Sequence, residues 1–226
     1  MKGKKILILR FSSIGDIVLT TPVVRNLKVQ LDDATIHYCT KSNYKTIVES
    51  NPYIDKVHLL DKSLNDLIKE LQKEKYDYII DLHNNLRTRI IKFRLGVKSF
   101  SFDKLNNEKW MKVNLKVDKL PNIHIVDRYM EAVKKLDVKK DHLGLDYFIP
   151  ESDEVPNEWL PVTHQKEYVA YAIGAQHGTK RLPVNRMIEL CDKINKPIIL
   201  LGGKEDATIG DELEAFFEQT SHSKPM

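Results

Sequence analysis

Residues 4–22 read KKILILRFSSIGDIVLTTP, and their pattern of apolar and polar residues indicates the fold class. The segment from Lys4 to Arg10 is a short apolar run between charges, which is typical of a strand buried on both faces of a parallel sheet. Residues 16–31 have helical character, so the turn between the two segments joins a parallel strand to a helix. Ligands bind at this end of the strands in open parallel sheets. The stretch therefore predicts an α/β protein with a site at residues 10–16.

The alternation of short β-rich runs and helical stretches continues through most of the chain, which predicts parallel α/β architecture. A first Rossmann-like domain is expected over residues 1–150, with an irregular segment at 103–119. Residues 151–162 contain Pro156 and Pro161 among acidic residues and have linker composition. The alternation restarts over 163–226 with only two predicted strands, so we expect an incomplete second Rossmann-like domain there.

Composition excludes several classes of protein. The chain has 226 residues, 42% hydrophobic and 30% charged, with a net charge of +4, which argues against disorder and against recognition of nucleic acid by bulk charge. No stretch approaches the about 18 apolar residues of a membrane span, and no signal peptide is visible. Cys39 and Cys191 show no disulfide or redox spacing, so we expect a cytoplasmic protein. The histidines lack metal-ligand spacing, so we expect no metal.

The turn after the first strand carries the strongest chemical signal. Ser12 and Ser13 offer hydroxyl and N–H groups, Gly15 permits close backbone approach, and Asp16 places a carboxylate at the helix start, where its structural alternative is an N-cap. The turn matches neither the P-loop nor the dinucleotide fingerprint. An oxidoreductase is also disfavoured because Thr40-Lys41, rather than a ribose-binding acid, ends the second strand.

Four segments, in order and spacing, resemble one known family, glycosyltransferase family 9, the lipopolysaccharide heptosyltransferases. Residues 10–22 are similar to its N-terminal signature, and Asp81-Leu82-His83 to its D-L-[HQ] strand end. Residues 124–129 (HIVDRY) are similar to its H-x-x-x-R-Y helix. Residues 174–183 (GAQHGTKRLP) resemble its G-A-x-x-x-x-K-x-W-P turn, with Leu182 in place of Trp. The family's D-[TS]-G-x-x-H-x-A-A segment is not in these residues.

The resemblance implies a GT-B fold and an inverting transfer of a heptose-like sugar to a lipopolysaccharide core acceptor, without metal or cofactor. The donor would be a nucleotide sugar of ADP-heptose type, bound by the second domain, and the acceptor an anionic lipid-core saccharide, bound by the first. With the donor-holding segment absent, the 226 residues are expected to be inactive alone. The implied site residues are Asp16 as general base; Lys180, Gly202 and Gly203 on the donor side; and Ser12, Ser13, Gly15, His83 and Arg128 on the acceptor side.

Charge distribution adds evidence that does not depend on the family. Residues 87–116 contain nine basic and two acidic residues, a local excess of seven positive charges. Such a region suits an anionic amphiphile at a membrane face, which the resemblance would make the cytoplasmic face of the inner membrane, or it is an ordinary solvated basic face. A second hypothesis is a non-catalytic Rossmann-like module that binds an anionic ligand. Asp16 discriminates between the two, because an anion binder gains nothing from a carboxylate in its site.

Overall fold

The computed structural model describes residues 3–61, 63–175 and 177–221. The chain divides into two compact units, Met1–Ser152 and Asp153–Met226. Each unit has its own sheet and its own apolar core. The assignment of residues 151–162 as a linker, and the division of labour between the domains, stay predictions.

The first unit contains a five-stranded parallel sheet in the order β3-β2-β1-β4-β5. This order is that of a Rossmann-like sheet, as the sequence predicts. The strands are β1 (Lys5–Leu9), β2 (Thr35–Lys41), β3 (Lys56–Leu60), β4 (Tyr78–Asp81) and β5 (Ser99–Ser101). The helices are α1 (Ile14–Val18), α2 (Thr21–Gln30), α3 (Leu64–Lys73), α4 (Leu86–Leu95), α5 (Asn106–Trp110) and α6 (Ile125–Met130).

Strand β1 lies at the centre of the sheet and is buried on both faces. Ile6 and Ile8 join one apolar cluster together with residues of α2 and α6, whereas Leu7 and Leu9 join the opposite cluster with residues of α3. All four side chains are fully buried. Alternate side chains of a strand point to opposite faces, so an unbroken apolar run suits this central position. The carboxyl end of β1 is thereby fixed in the middle of the sheet edge.

Two segments of the first unit differ from the sequence prediction. The single helix expected over 16–31 is two helices. The helix is interrupted at residues 19–20, and α2 begins with Pro22 in its first turn. Proline is tolerated there because the N–H that it lacks would have no partner within the helix. The segment expected to be irregular contains α5, continued by a wider helical turn at Met111–Leu115. Trp110 and Val113 are exposed there, so this segment lacks the periodic pattern of buried apolar residues from which a helix is predicted.

The second unit is smaller. Strands β6 (Val169–Ala172) and β7 (Ile198–Leu201) pair in parallel, and helices α7 (Val184–Lys193) and α8 (Ala207–Ser221) follow them. Ile173, Met187 and Leu213 form its buried core. None of the described helices in either unit combines the length and the hydropathy that crossing a bilayer requires.

Candidate functional site

The turn after β1 holds Asp16 at the start of α1. Ser13 is the N-cap residue and Asp16 is the third residue of the helix. Its Oδ2 accepts hydrogen bonds from the Ser13 hydroxyl at 2.9 Å and from the Ser13 N–H at 3.3 Å. The peptide bond between Ser12 and Ser13 is cis. Asp16 is thus a capping partner at the third helical position rather than the N-cap itself, and 41% of its side chain stays exposed.

Arg10 ties this turn to two distant segments. Its Nε donates to the Ser12 carbonyl at 2.8 Å, and its Nη1 donates to the Leu82 carbonyl at 2.6 Å and to the Tyr129 hydroxyl at 2.9 Å. Nη2 lies 2.9 Å from Asp16 Oδ2. Burial alone would raise the pKa of Asp16, but the Arg10 charge and the hydrogen bonds from Ser13 and Arg10 outweigh it and lower that pKa. Asp16 is therefore a carboxylate at neutral pH.

His83 and Arg128 lie in the same neighbourhood and carry unsatisfied polar atoms. The His83 ring packs on Phe11 with centroids 5.3 Å apart, and its pKa falls to about 4 because of burial and the charges of Arg10 and Lys104. Arg128 stacks on Phe102 and donates to the Asp103 carbonyl at 2.5 Å. Buried His83 Nδ1 and Arg128 Nε have no hydrogen-bond partner among the described residues. These two atoms are themselves buried, although the side chains of His83 and Arg128 are only half-buried, so a ligand would meet their exposed parts.

Glycine at position 15 is not required by the protein's own packing. Apart from its chain neighbours and the backbone of its own helix, a Cβ at Gly15 would meet no atom of the described residues within 4 Å, and the φ of Gly15 is not positive. Gly15 and Ser13 are both exposed. A glycine with free space above it is consistent with the close approach of a ligand to the backbone.

Positive charge gathers beside this turn. The pKa of Lys104 is lowered by burial first and then by the charges of Arg10, Lys109 and Arg89, although Asp81 opposes the shift. Part of the positive charge of residues 87–116 is neutralised by an ion pair. Lys92 pairs with the fully buried Asp81 at 2.8 Å, so it supports the end of β4 rather than an anion-binding face.

The second unit places its sequence-predicted residues at one end of its sheet. Lys180 is exposed in the turn Gly178–Lys180 after β6, and Gly202 and Gly203 follow β7. Both turns lie at the carboxyl ends of paired parallel strands, so they share one sheet edge. Among the described residues, no carboxylate pairs with Lys180.

Arg181 and Asp206 are structural residues that sequence reasoning missed. Arg181 donates to the Ala175 carbonyl at 2.5 Å, and its Nη2 lies 3.3 Å from buried Asp206 Oδ1. Asp206 Oδ2 accepts from the Gly203 N–H at 2.9 Å. A Cβ on Gly202 would lie 2.9 Å from the Asp206 Cβ, and one on Gly174 would lie 1.9 Å from Asp206 Oδ2. Packing around Asp206 therefore explains these two glycines without a ligand.

A cavity of about 1100 Å³ also lies in the second unit, on the side of the sheet that carries the end of α7 and α8. Gly202, Gly203 and Asp206 line it, whereas Lys180 and Asp16 do not.

A cluster of His37, His58 and Glu74 near the start of the sheet has the composition of a metal site, with ligand-type atoms within 4.8 Å of one another. Both oxygens of Glu74, however, accept hydrogen bonds from ammonium groups, at 2.6 Å from Lys5 and 2.5 Å from Lys56. Two neighbouring ammonium charges oppose a bound cation. We interpret the cluster as a buried hydrogen-bond network, and the expected absence of a metal stays a prediction.

Comparison with known proteins agrees with this description. The profile of glycosyltransferase family 9 (heptosyltransferase) matches residues 64–223. A lipopolysaccharide heptosyltransferase 1 of Campylobacter coli is 24% identical over 85% of this chain and 61% of its own length. The chain thus spans less than two thirds of that relative.

Solved structures resemble the chain in fold. A glycosyltransferase family 9 protein of Veillonella parvula matches 94% of this chain and 66% of its own with a TM-score of 0.74 at 21% identity. The ADP-heptose lipopolysaccharide heptosyltransferase II of Escherichia coli matches 93% and 68% with a TM-score of 0.70 at 17% identity. Parallel α/β units of this kind are those of GT-B glycosyltransferases. With most of its length matched by the profile, the chain belongs to glycosyltransferase family 9.

Proposed function

We propose that this chain carries the acceptor side and part of the donor side of an enzyme that transfers a heptose-like sugar to a lipopolysaccharide core. The reaction is an inverting displacement with Asp16 as general base. The acceptor hydroxyl gives its proton to Asp16 while its oxygen bonds to the anomeric carbon, and the bond from that carbon to the diphosphate breaks on the opposite face. The carboxylate of Asp16, ionised and partly open to solvent, carries this proposal.

The acceptor side is proposed at Ser12, Ser13, Gly15, His83 and Arg128. The positive charges of Arg128 and Lys104 suit an anionic sugar, and the neutral His83 suits a hydroxyl. The open space above Gly15 lets the sugar approach the backbone beside Asp16. The acceptor chemistry thus follows from the charges that surround the base.

The donor side is proposed at Lys180, Gly202 and Gly203, for a nucleotide sugar of ADP-heptose type. Support comes from the shared sheet edge of the two turns and from the similar fold of the Escherichia coli ADP-heptose lipopolysaccharide heptosyltransferase II. Exposed Lys180 offsets the charge that develops on the leaving diphosphate. Stabilising the leaving diphosphate in this way requires only a positive point charge, which lysine supplies.

The place of action is proposed to be the cytoplasm, with peripheral contact at the inner membrane where a lipid-linked acceptor resides. The helical segment 106–115 supports this part, because Trp110, Val113 and Leu115 are exposed there next to Lys109 and Lys112. Apolar side chains beside lysines suit the headgroup region of an anionic bilayer.

A transfer assay with matched aspartates tests the proposal. The remaining C-terminal segment of the Campylobacter coli relative is fused after residue 226, and heptose addition to a Kdo-bearing acceptor is followed by mass spectrometry. Asp16→Asn should lower turnover by about 100-fold or more, because an amide cannot take the proton. Asp66→Asn is the control, since Asp66 is also the third residue of a helix behind a serine N-cap.

Two results would count against the proposal. Transfer by Asp16→Asn within tenfold of the parent would remove Asp16 from the role of base. A fusion that binds the acidic acceptor but transfers no sugar, while the intact relative does so in the same assay, would favour the non-catalytic anion-binding module.

A further inference from the structure

The carboxylate of Asp16 is held asymmetrically. Three contacts reach Oδ2: Arg10 Nη2 at 2.9 Å, the Ser13 hydroxyl at 2.9 Å and the Ser13 N–H at 3.3 Å. None of the described residues donates a hydrogen bond to Oδ1. Because a hydrogen-bonded carboxylate oxygen has fewer free lone pairs, the two oxygens of Asp16 differ in their readiness to accept a proton.

We propose that Arg10 is a positioning residue that grips Asp16 by Oδ2 and leaves Oδ1 as the oxygen that takes the acceptor's proton. The proposal rests on the proposed function, in which Asp16 is the base. Arg10 opens the stretch 10–22 that resembles the family's N-terminal signature, but the resemblance assigns it no role in the site. The side chain of Arg10 is 8% exposed, so Arg10 contacts Asp16 from the buried side of the turn.

Three further hydrogen bonds of the same guanidinium keep Arg10 from moving. They reach the Ser12, Leu82 and Tyr129 oxygens, which belong to the turn after β1, to the end of β4 and to α6. The Tyr129 ring also lies under the guanidinium, at 5.7 Å from its centroid. A planar group with five N–H donors in a fixed fork can hold such a set at once, whereas the single ammonium of a lysine cannot.

Anchoring of this kind matters because proton transfer depends on geometry. A misplacement of about 1 Å in a catalytic group costs on the order of 100-fold in rate. The two hydrogen bonds from Ser13 both come from one exposed residue at the start of α1. The buried Arg10 provides a second, independent point of attachment on the same oxygen.

The test compares the loss of two buried arginines. Arg10→Met removes the grip and the charge, and Arg10→Lys restores only the charge. Arg25→Met is the matched control, because Arg25 is 3% exposed and binds Asp141, Asp146 and the Gly144 carbonyl, none of them a site residue. Thermal unfolding of each variant reports the general cost of losing a buried arginine.

Two readouts separate positioning from stability. In the 226-residue chain, carbon-13 NMR of the Asp16 carboxyl should show a pKa that rises in Arg10→Met and stays near the parental value in Arg25→Met. In the fusion, kcat should fall about 10- to 100-fold in Arg10→Met with little change in donor KM, and the acid limb of the pH profile should move to higher pH. Arg10→Lys should recover the pH profile but not the full kcat.

The outcomes distinguish this proposal from the proposed function. If Arg10→Met leaves the Asp16 titration and kcat where Arg25→Met leaves them, the positioning role is wrong even when Asp16→Asn abolishes transfer. If Asp16→Asn transfers sugar normally, the base assignment is wrong, whatever the Asp16 titration shows. Full recovery of kcat by Arg10→Lys would reduce the role of Arg10 to its charge.

Discussion

Acid should destabilise the first unit through His37. Its ring is almost fully buried and contacts His58 and Tyr76, at 3.0 and 2.9 Å. Burial and the charges of His58, Lys5 and Lys56 lower the pKa of His37 from 6.5 to about 4, against the opposing effect of Glu74. The folded state therefore holds His37 neutral across a range in which the unfolded chain protonates it.

The sign and size of the effect follow from proton linkage. As pH falls below about 6.5, the unfolded state binds the proton first, so the free energy of unfolding decreases until the folded pKa is reached. With pKa values of 6.5 unfolded and about 4 folded, one histidine costs about 2 kcal/mol between pH 7.5 and pH 5. His83 has the same folded pKa of about 4, so it contributes a similar amount.

Urea unfolding of the 226-residue chain at pH 7.5, 6.5, 5.8 and 5.0 measures this slope. His37→Gln should remove about half of the loss seen in the parent, even if it lowers stability at every pH. The exposed His142→Gln serves as control and should leave the slope unchanged. Keeping the pH at 5 or above limits the contribution of carboxylates such as Glu74, because Lys5 and Lys56 lower its pKa from 4.5 to about 2 and its stabilising effect is lost mostly below pH 4.5. A His37→Gln slope equal to that of the parent would refute the reasoning.

Three further outcomes are expected. Lys180→Ala in the fusion should weaken donor binding and turnover because the leaving diphosphate loses its cation, with exposed Lys193→Ala as control; unchanged kinetics would make Lys180 an ordinary surface residue. The 226-residue chain should bind a phosphorylated lipid-core saccharide more tightly than ADP in titration calorimetry. Its affinity for the saccharide should fall as salt rises, and should fall further in the double variant Arg89→Glu/Lys109→Glu. An affinity independent of salt would contradict the charge argument. Gly174→Ala should lower the stability of the second unit by about 1–3 kcal/mol because the new Cβ would meet Asp206 Oδ2. Gly178→Ala, where the Cβ has open space, should cost less stability. Equal melting temperatures of the two variants would show that Asp206 can move aside.

The sequence predicts the architecture of the first unit because each strand can be identified from its own residues. Apolar runs such as the one in β1 follow from burial on both faces, and the helices that cover them show their own periodicity. The parallel pairing of the five strands then follows from the alternation of strands and helices. The family of the chain was also accessible, since three of the four motifs that resemble it lie at strand ends that the pattern locates, and the fourth lies in α6.

The inner contacts of the site were not accessible in the same way. Arg10 meets Leu82 and Tyr129 across 72 and 119 residues of sequence, and no local pattern encodes a pair so far apart. The pairing of Lys92 with Asp81 similarly turns an apparent surface charge into a support for β4. An arginine at the end of an otherwise apolar strand was the one available signal, because a buried guanidinium requires several partners.

The three-way attachment of Arg10 also has a thermodynamic consequence. Since the turn, the end of β4 and α6 must all be docked before the guanidinium finds its partners, the intact site exists only while the first unit is folded as a whole. A ligand that binds this site then binds the native state and not the unfolded one, so it raises the free energy of global unfolding by RT ln(1 + [L]/Kd). Amide hydrogens in the middle of β1, far from the ligand, should therefore exchange more slowly when the site is filled.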